Sequence, residues 1–355
     1  MKNKIQTKIR YLEKIHRIRG PIKSRFSFLR LDKNEKVNEF NFTFLRKILK
    51  RIKSEHFTAY PEVENLYNLI SKKDNVDKRS IVLTAGSDGA IRTCFDFFVE
   101  KGSKIITIEP TFAMVNIYSK IFQTKQIRIS FDRNLNFNLS NLLKSIKKNI
   151  DLIILANPNS PTGTLIKKNE LEIILKKSNK FNVPVLIDEA YYGFCKITCV
   201  PLIKKYKNLI VSRTFSKAYG VAGVRVGYLI ASPRIANILY KLKPMYEINS
   251  IGALISEELI KNKIDKRYIK EVEKGKNLLQ KYLILNNYEF IITHANFIHI
   301  NFEDKFQLIK KTFMKKNILV KGGPQVKGFE NFLRITLGSP KDMKKVISIL
   351  KIFKD

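Results

Sequence analysis

The sequence predicts an α/β protein with a three-layer large domain on a mostly parallel sheet and a smaller C-terminal α/β domain. Through the middle of the chain, short β-branched apolar runs alternate with segments of helical period, the pattern of strands covered on both faces by crossover helices. After about residue 233 longer helical stretches separate a second set of short strands. The 355-residue length accommodates both units, and a hydrophobic fraction of 44% permits a sizeable core.

The expected large-domain strands are residues 80–86 (SIVLTAG), 104–110 (KIITIEP), 151–158 (DLIILANP), 183–190 (VPVLIDEA), 208–215 (NLIVSRTF) and 226–232 (VGYLIAS), each bounded by Gly, Pro, Asn or Ser. Between them Ile91, Cys94, Phe95 and Phe98 share one helical face closed by Gly102, and Leu171, Ile174 and Leu175 share another. One long helical stretch is expected over 232–262. Strands follow at 289–292, 296–302, 318–320 and 332–337. The expected division is an N-terminal arm over 1–35, a large domain over 36–235 and a small domain over 236–355.

Composition narrows the function. Cys94, Cys195 and Cys199 make no disulfide framework, and the four histidines show no metal-ligand spacing with them. No apolar run approaches a membrane span of about 18 residues, and residues 1–10 are too polar for a signal peptide, so the expectation is a soluble cytoplasmic protein. The net charge of +36 favours phosphate-bearing partners. Most of the cations are scattered over helix faces, and the densest run, residues 1–30, holds ten Lys/Arg against Glu13. No nucleic-acid recognition motif accompanies it, and nucleic-acid binding is not the expected main function.

In such a sheet the ligand lies beyond the carboxyl ends of the strands, so the strand ends carry the functional signal. One ends in Asp188-Glu189-Ala190-Tyr191, two acids that are costly at a buried strand end unless paired. Another ends in Thr214-Phe215-Ser216-Lys217, then a small-residue turn and Arg225, a candidate phosphate cradle. A third opens through Gly86-Ser87-Asp88-Gly89 into a helix, where Ser87 or Asp88 serves as N-cap or the free backbone N–H groups bind an anion. A lysine, an acid, a tyrosine and a phosphate cradle on one edge match what pyridoxal phosphate requires.

These segments in order, with Ser160-Pro161-Thr162-Gly163, resemble the class I/II aminotransferases of fold type I, and most of all their histidinol-phosphate aminotransferase branch. Residues 30–35, Ala59-Tyr60-Pro61, Pro110-Thr111-Phe112 and residues 332–338 support the likeness, which runs from about residue 28 to 350.

The resemblance implies roles. Lys217 holds pyridoxal 5'-phosphate as a Schiff base and moves the substrate proton, Asp188 pairs with the ring nitrogen, and Tyr191 donates to the ring oxygen. Phe112 stacks on the ring, with a plain core phenylalanine as the competing reading. Ser87, Asp88, Thr214, Ser216 and Arg225 hold the phosphate. Tyr60 reaches the phosphate of a neighbouring subunit, which implies a homodimer. Arg334 forks onto the substrate carboxylate. Asn34 and Lys321 lie on the substrate side, and Asn296 is either a site residue or a turn residue.

The sequence departs from the family in three places. Ser160 replaces an asparagine that contacts the ring oxygen, leaving Asn157 to take over or the contact weakened. Asn34-Glu35 is followed by Lys36-Val37 instead of Asn-Pro. Lys321 stands where related enzymes often have arginine. The expected activity is amino transfer from a donor such as glutamate to a carbonyl acceptor, either a histidinol-phosphate-like compound or a small keto or aldehyde phosphate. The alternatives are a decarboxylase of phosphorylated amino acids and a non-catalytic basic binding protein on the same scaffold.

Overall fold

The computed structural model describes Glu13 and residues 24–353. Most of the basic run over 1–30, and much of the expected N-terminal arm, lies outside the described residues.

Within residues 24–353, a 3-10 turn (Arg25–Ser27) leads to strand β1 (Leu29–Arg30) and helices α1 (Phe42–Arg51), α2 (Glu55–Thr58) and α3 (Glu64–Asp74). The large sheet is then built from β2 (Ile81–Thr84), β3 (Lys104–Glu109), β4 (Lys125–Ser130), β5 (Leu152–Ala156), β6 (Val185–Asp188), β7 (Leu209–Thr214) and β8 (Gly227–Ala231). Helices α4 (Gly86–Phe98), α5 (Ala113–Ile121), α6 (Leu139–Ser145) and α7 (Lys168–Lys180) connect them. The spatial order is β2-β8-β7-β6-β5-β3-β4, parallel except for β8, which runs antiparallel to both neighbours. The expected strands are all present. β4 was not foreseen: its KQIRIS sequence alternates polar and apolar residues at the sheet edge, so it lacks the apolar run of a central strand.

Two apolar layers cover this sheet. Alternate side chains of one strand enter opposite cores: Ile153 and Leu155 join Leu171, Ile174 and Leu175 of α7, whereas Leu152 and Ile154 join Ile91, Cys94 and Phe95 of α4.

The expected helix over 232–262 is two helices, α8 (Pro233–Leu242) and α9 (Ser250–Lys261), because the chain turns extended at Lys243 before Pro244 and restarts at an Asn249 cap. After α10 (Ile264–Leu285) come β9 (Phe290–Ile292), β10 (Phe297–Asn301), α11 (Phe306–Lys315), β11 (Ile318–Leu319), β12 (Lys321–Gly322), β13 (Phe332–Thr336) and α12 (Pro340–Leu350). Four of these strands form an antiparallel sheet, β12-β13-β10-β9, while β11 pairs with β1 instead.

The second core joins Leu31 to Tyr268, Val272, Leu279, Phe313, Leu333 and Val346. Buried Ala236, Leu239, Ala253 and Leu259 pack with the large-sheet cores. We therefore propose a division near residue 264, with residues 29–31 in the second unit, in place of the expected boundary after residue 235. The β1–β11 pairing has a functional consequence, since it delivers residues 32–35 to the carboxyl edge of the large sheet.

Candidate active site

A cavity of about 420 Å³ opens at that edge. It is bounded by strand ends of the large sheet (Asp188, Thr214), the start of α4 (Ser87, Asp88), the turn after β7 (Ser216, Lys217, Ala222, Arg225) and the small domain (Lys321, Gln325, Arg334).

Asp188 ends β6 and is 4% exposed. Its carboxylate accepts the Ser212 hydroxyl at 2.7 Å, and Ser212 is its register partner on β7. Burial pushes its pKa up to about 6, with the Ser212 hydrogen bond pulling the other way. Such a carboxyl gains most from a cation or N–H donor in the cavity. Lys217 stands on the same cavity, its ammonium donating to the Lys33 carbonyl at 2.9 Å and lying 5.8 Å from the Tyr191 ring centre. Tyr191 is buried, and its hydroxyl accepts from the Asn34 amide at 2.9 Å. Asn34 in turn bonds Thr336 through backbone and side chain, and its carbonyl takes the Asn296 amide at 3.2 Å. Asn296 is thus a fully buried tie between small-domain wall and site.

At the anion end, α4 starts at Gly86 with Ala85 as its N-cap and no side-chain cap, so neither Ser87 nor Asp88 caps it. The first-turn N–H groups therefore have no capping side chain, and the helix dipole favours a negative group there. Asp88 accepts the Tyr118 hydroxyl at 2.9 Å. Arg225 contacts the Ser216 hydroxyl at 3.4 Å and the Ala222 and Ala85 carbonyls, and the Thr214 hydroxyl bonds Ser216 at 2.9 Å. The backbone calls for glycine at position 86, where φ is +74°, and a Cβ there would also sit 2.8 Å from Arg225 Nη2 and push that side chain aside. Gly227, level with Thr84 and Thr214, would meet the Gly86 backbone at 2.6 Å.

Phe112 lines the cavity just before α5 and packs on the core behind it. Ser160 lines it too. Asn157 does not: its Nδ2 donates to the Ile166 carbonyl and its Oδ1 accepts the Ile166 N–H, which holds the side chain against residue 166. Tyr60 also lies off the cavity, 73% exposed and stacked on Tyr246 at 4.0 Å. On the opposite wall Arg334, 7% exposed, donates to the Asp32 carbonyl at 2.7 Å and lies 5.3 Å from the Phe297 ring centre. Burial and the neighbouring Arg334 charge lower the Lys321 ammonium.

Sequence reasoning missed Lys33, Glu35 and Gln325 on the cavity wall, and Glu247, whose carboxylate accepts the Ala85 N–H at 2.9 Å. No local spacing signals a contact between residues 85 and 247.

The residues fit pyridoxal phosphate. A buried carboxylate faces the cavity beside a lysine, and a serine, a threonine, an arginine and an uncapped helix start converge on one end of it. The fold and this cavity define a pyridoxal-phosphate-dependent enzyme of fold type I.

Comparison with known proteins agrees. Residues 45–350 match the aminotransferase class I and II family, to which the chain belongs; it is a pyridoxal-phosphate-dependent transaminase. It is 32% identical over 326 residues to the histidinol-phosphate aminotransferase of Caldanaerobacter subterraneus subsp. tengcongensis, covering 91% of this chain and 92% of that protein. The structure of histidinol-phosphate aminotransferase from Sinorhizobium meliloti in complex with pyridoxal-5'-phosphate shares the fold at a TM-score of 0.83 and 19% identity, over 95% of each chain. L-threonine-O-3-phosphate decarboxylase from Porphyromonas gingivalis shares it at a TM-score of 0.74 and 20% identity, over 92% of this chain and 99% of that one. Among the described residues no helix is long and apolar enough to cross a membrane.

Proposed function

We propose that the protein is a cytoplasmic homodimer that exchanges an amino group between glutamate and a phosphorylated carbonyl acceptor, with histidinol phosphate as the amine product. The carrying observation is a second cationic wall: Arg334 and Lys321 reach the cavity from the small domain, apart from the Arg225 cradle. One cradle serves the cofactor phosphate, and the other serves the substrate's anionic groups. The whole-length likeness to histidinol-phosphate aminotransferases supports this choice of substrate.

In this reading Thr214, Ser216, Arg225 and the backbone around Ser87 and Asp88 bind the cofactor phosphate, Asp188 holds a proton at the ring nitrogen, and Tyr191 and Ser160 face the ring oxygen. Bound pyridoxal phosphate supplies an electron sink for the charge left at the substrate Cα. Lys217 Nζ takes the Cα proton, while Arg334 fixes the carboxylate and Lys321 the phosphate. Asn34 orients Tyr191 through the bond already described.

Half-reactions test the proposal. Glutamate and histidinol phosphate, added separately to the loaded protein, are each expected to discharge the visible absorption of the bound cofactor without releasing carbon dioxide. Carbon dioxide release from a phosphorylated amino acid, with no ketoacid formed, would establish the decarboxylase reading instead.

The dimer reading is supported by Tyr60 standing off its own cavity, exposed and stacked on Tyr246, and by further exposed apolar side chains at Phe42, Leu49, Phe57 and Met245. If Tyr60 serves the neighbouring subunit, mixing Lys217→Ala with Tyr60→Ala protein restores one intact site per mixed dimer. Activity above the sum of the two variants is the expected result, and no gain on mixing would place Tyr60 in cis or outside the reaction.

A further inference from the structure

His299 lies on β10 directly opposite Arg334 on β13 and is fully buried. Its Nε2 is 2.9 Å from the Pro161 carbonyl oxygen. A carbonyl only accepts, so Nε2 carries the hydrogen and Nδ1 presents a bare lone pair. Burial and the Arg334 charge keep the ring neutral, with its pKa lowered to about 3. Among the described residues, Nδ1 has no hydrogen-bond partner, and neither does Nε of Arg334 on the facing residue. One is an acceptor and the other a donor, and buried polar atoms of this kind are costly unless they find each other or share a water. The rest of the guanidinium is already placed, by the Asp32 carbonyl at Nη2 and the Phe297 ring at 5.3 Å.

We propose that His299 is a positioning residue for Arg334, its Nδ1 accepting the Arg334 Nε–H through one bridging water and so presenting the Nη1/Nη2 edge as the fork for a substrate carboxylate. The proposal rests on reading Arg334 as the carboxylate arginine. His299 thereby ties the substrate fork of the small domain to the 160–162 loop of the large one.

The two nitrogens can be separated by substitution, because an asparagine amide reaches the place of Nδ1 and a glutamine amide the place of Nε2. His299→Asn keeps an acceptor toward Arg334 and loses the Pro161 bond; His299→Gln does the reverse. The probe is glutarate, a dicarboxylate with no amine to react, titrated into the cofactor-loaded protein with cofactor absorbance as an equilibrium readout. Loss of one hydrogen bond to a charged group corresponds to a fall in affinity of about tenfold. His299→Gln is expected to weaken glutarate about tenfold, and His299→Asn is expected to stay within about twofold of wild type. A role confined to holding the 160–162 loop predicts the opposite order. That order, or equal behaviour of the two variants, overturns the proposal. Arg334→Gln serves as control. If it leaves glutarate binding unchanged, the carboxylate reading of Arg334 fails and this inference with it. If it abolishes binding while both His299 variants match wild type, this inference alone fails. The histidinol phosphate half-reaction, whose amine carries no carboxylate, is expected to be nearly indifferent to His299→Gln.

Discussion

Asp188 and Glu189 are consecutive, equally buried acids on opposite faces of one sheet edge, and they meet opposite fates. Glu189 is matched on all sides: Arg213 Nη2 at 2.9 Å, the Thr198 hydroxyl at 2.8 Å and the Cys199 N–H at 2.5 Å. Arg213 also grips Asp74 at 2.7 Å and stacks 3.5 Å from the Tyr192 ring centre. Burial raises the Glu189 carboxyl as it does that of Asp188, but here the Arg213 charge and the Cys199 and Thr198 bonds oppose it. Desolvation likewise opposes the Arg213 charge, which Glu189 and Asp74 more than restore, and Asp74 is held below the usual carboxylate range by Arg213 and Lys73 against its own burial. Asp188 has no such cation in contact; its carboxylate has the Ser212 hydroxyl, the Ala190 backbone N–H and the more distant Lys217 charge. The same alternation recurs on β7, where Arg213 joins the closed network while Ser212 bonds Asp188 and Thr214 lines the cavity. A charge matched within the protein fixes structure; a charge left short of partners is available for a ligand.

The largest expected effect is at the amine. Lys217→Ala should cut turnover by roughly ten-thousand-fold or more and remove the visible band of the bound cofactor. Cys195→Ala, whose buried thiol lies outside the cavity lining, should change neither. Activity surviving in the lysine variant would refute the whole site.

Asp188→Asn should lower kcat by roughly a hundred- to a thousand-fold with the fold intact, since in the proposed function it removes charge where the ring nitrogen must keep its proton. It also gives the cofactor-free protein a pH signature. The folded pKa of Asp188 is raised from 3.8 to about 6, so its contribution to stability is fully present below pH 3.8 and is lost as pH rises through 6. Between pH 4 and 6.5 the stability of Asp188→Asn relative to wild type should therefore rise by about 2–3 kcal/mol in denaturant titrations. A flat difference would mean that the carboxylate is solvated.

Glu189→Gln should do the converse. Breaking one arm of a buried ion pair costs about 3–5 kcal/mol, so the melting temperature falls, while kcat and KM of the folded fraction stay within a few-fold of wild type. A kcat collapse at unchanged stability would erase the distinction between the two acids.

How much of this was legible follows from the same geometry. The strand ends announced themselves because apolar β-branched runs locate a strand, and the residues just beyond each run fall on the carboxyl edge by topology alone. The period of two in a strand tells that Asp188 and Glu189 face opposite ways, but not which of them meets a cation. That answer needed Arg213 and Asp74, the latter 139 residues away from Arg213 in sequence. His299 was opaque for the same reason, its partner Pro161 lying 138 residues away. The break at Lys243-Pro244 was readable from the proline but was overridden by the apolar periodicity on either side of it.

The smallest expected effect concerns the departure at Ser160. With Asn157 held against Ile166, the proposed reading leaves the ring-oxygen contact to Tyr191 and to whatever the short Ser160 hydroxyl reaches. Ser160→Asn extends an amide donor from the cavity wall toward the same oxygen. One added hydrogen bond of ordinary strength, about 1 kcal/mol net, should tighten cofactor affinity about fivefold, measured by equilibrium titration of the cofactor-free protein. Because the amide carries no charge and lies apart from both the Asp188 and the Glu189 networks, kcat should move less than affinity. Weaker binding in Ser160→Asn would mean that the wall around residue 160 is shaped for the serine, and that Tyr191 holds the ring oxygen alone.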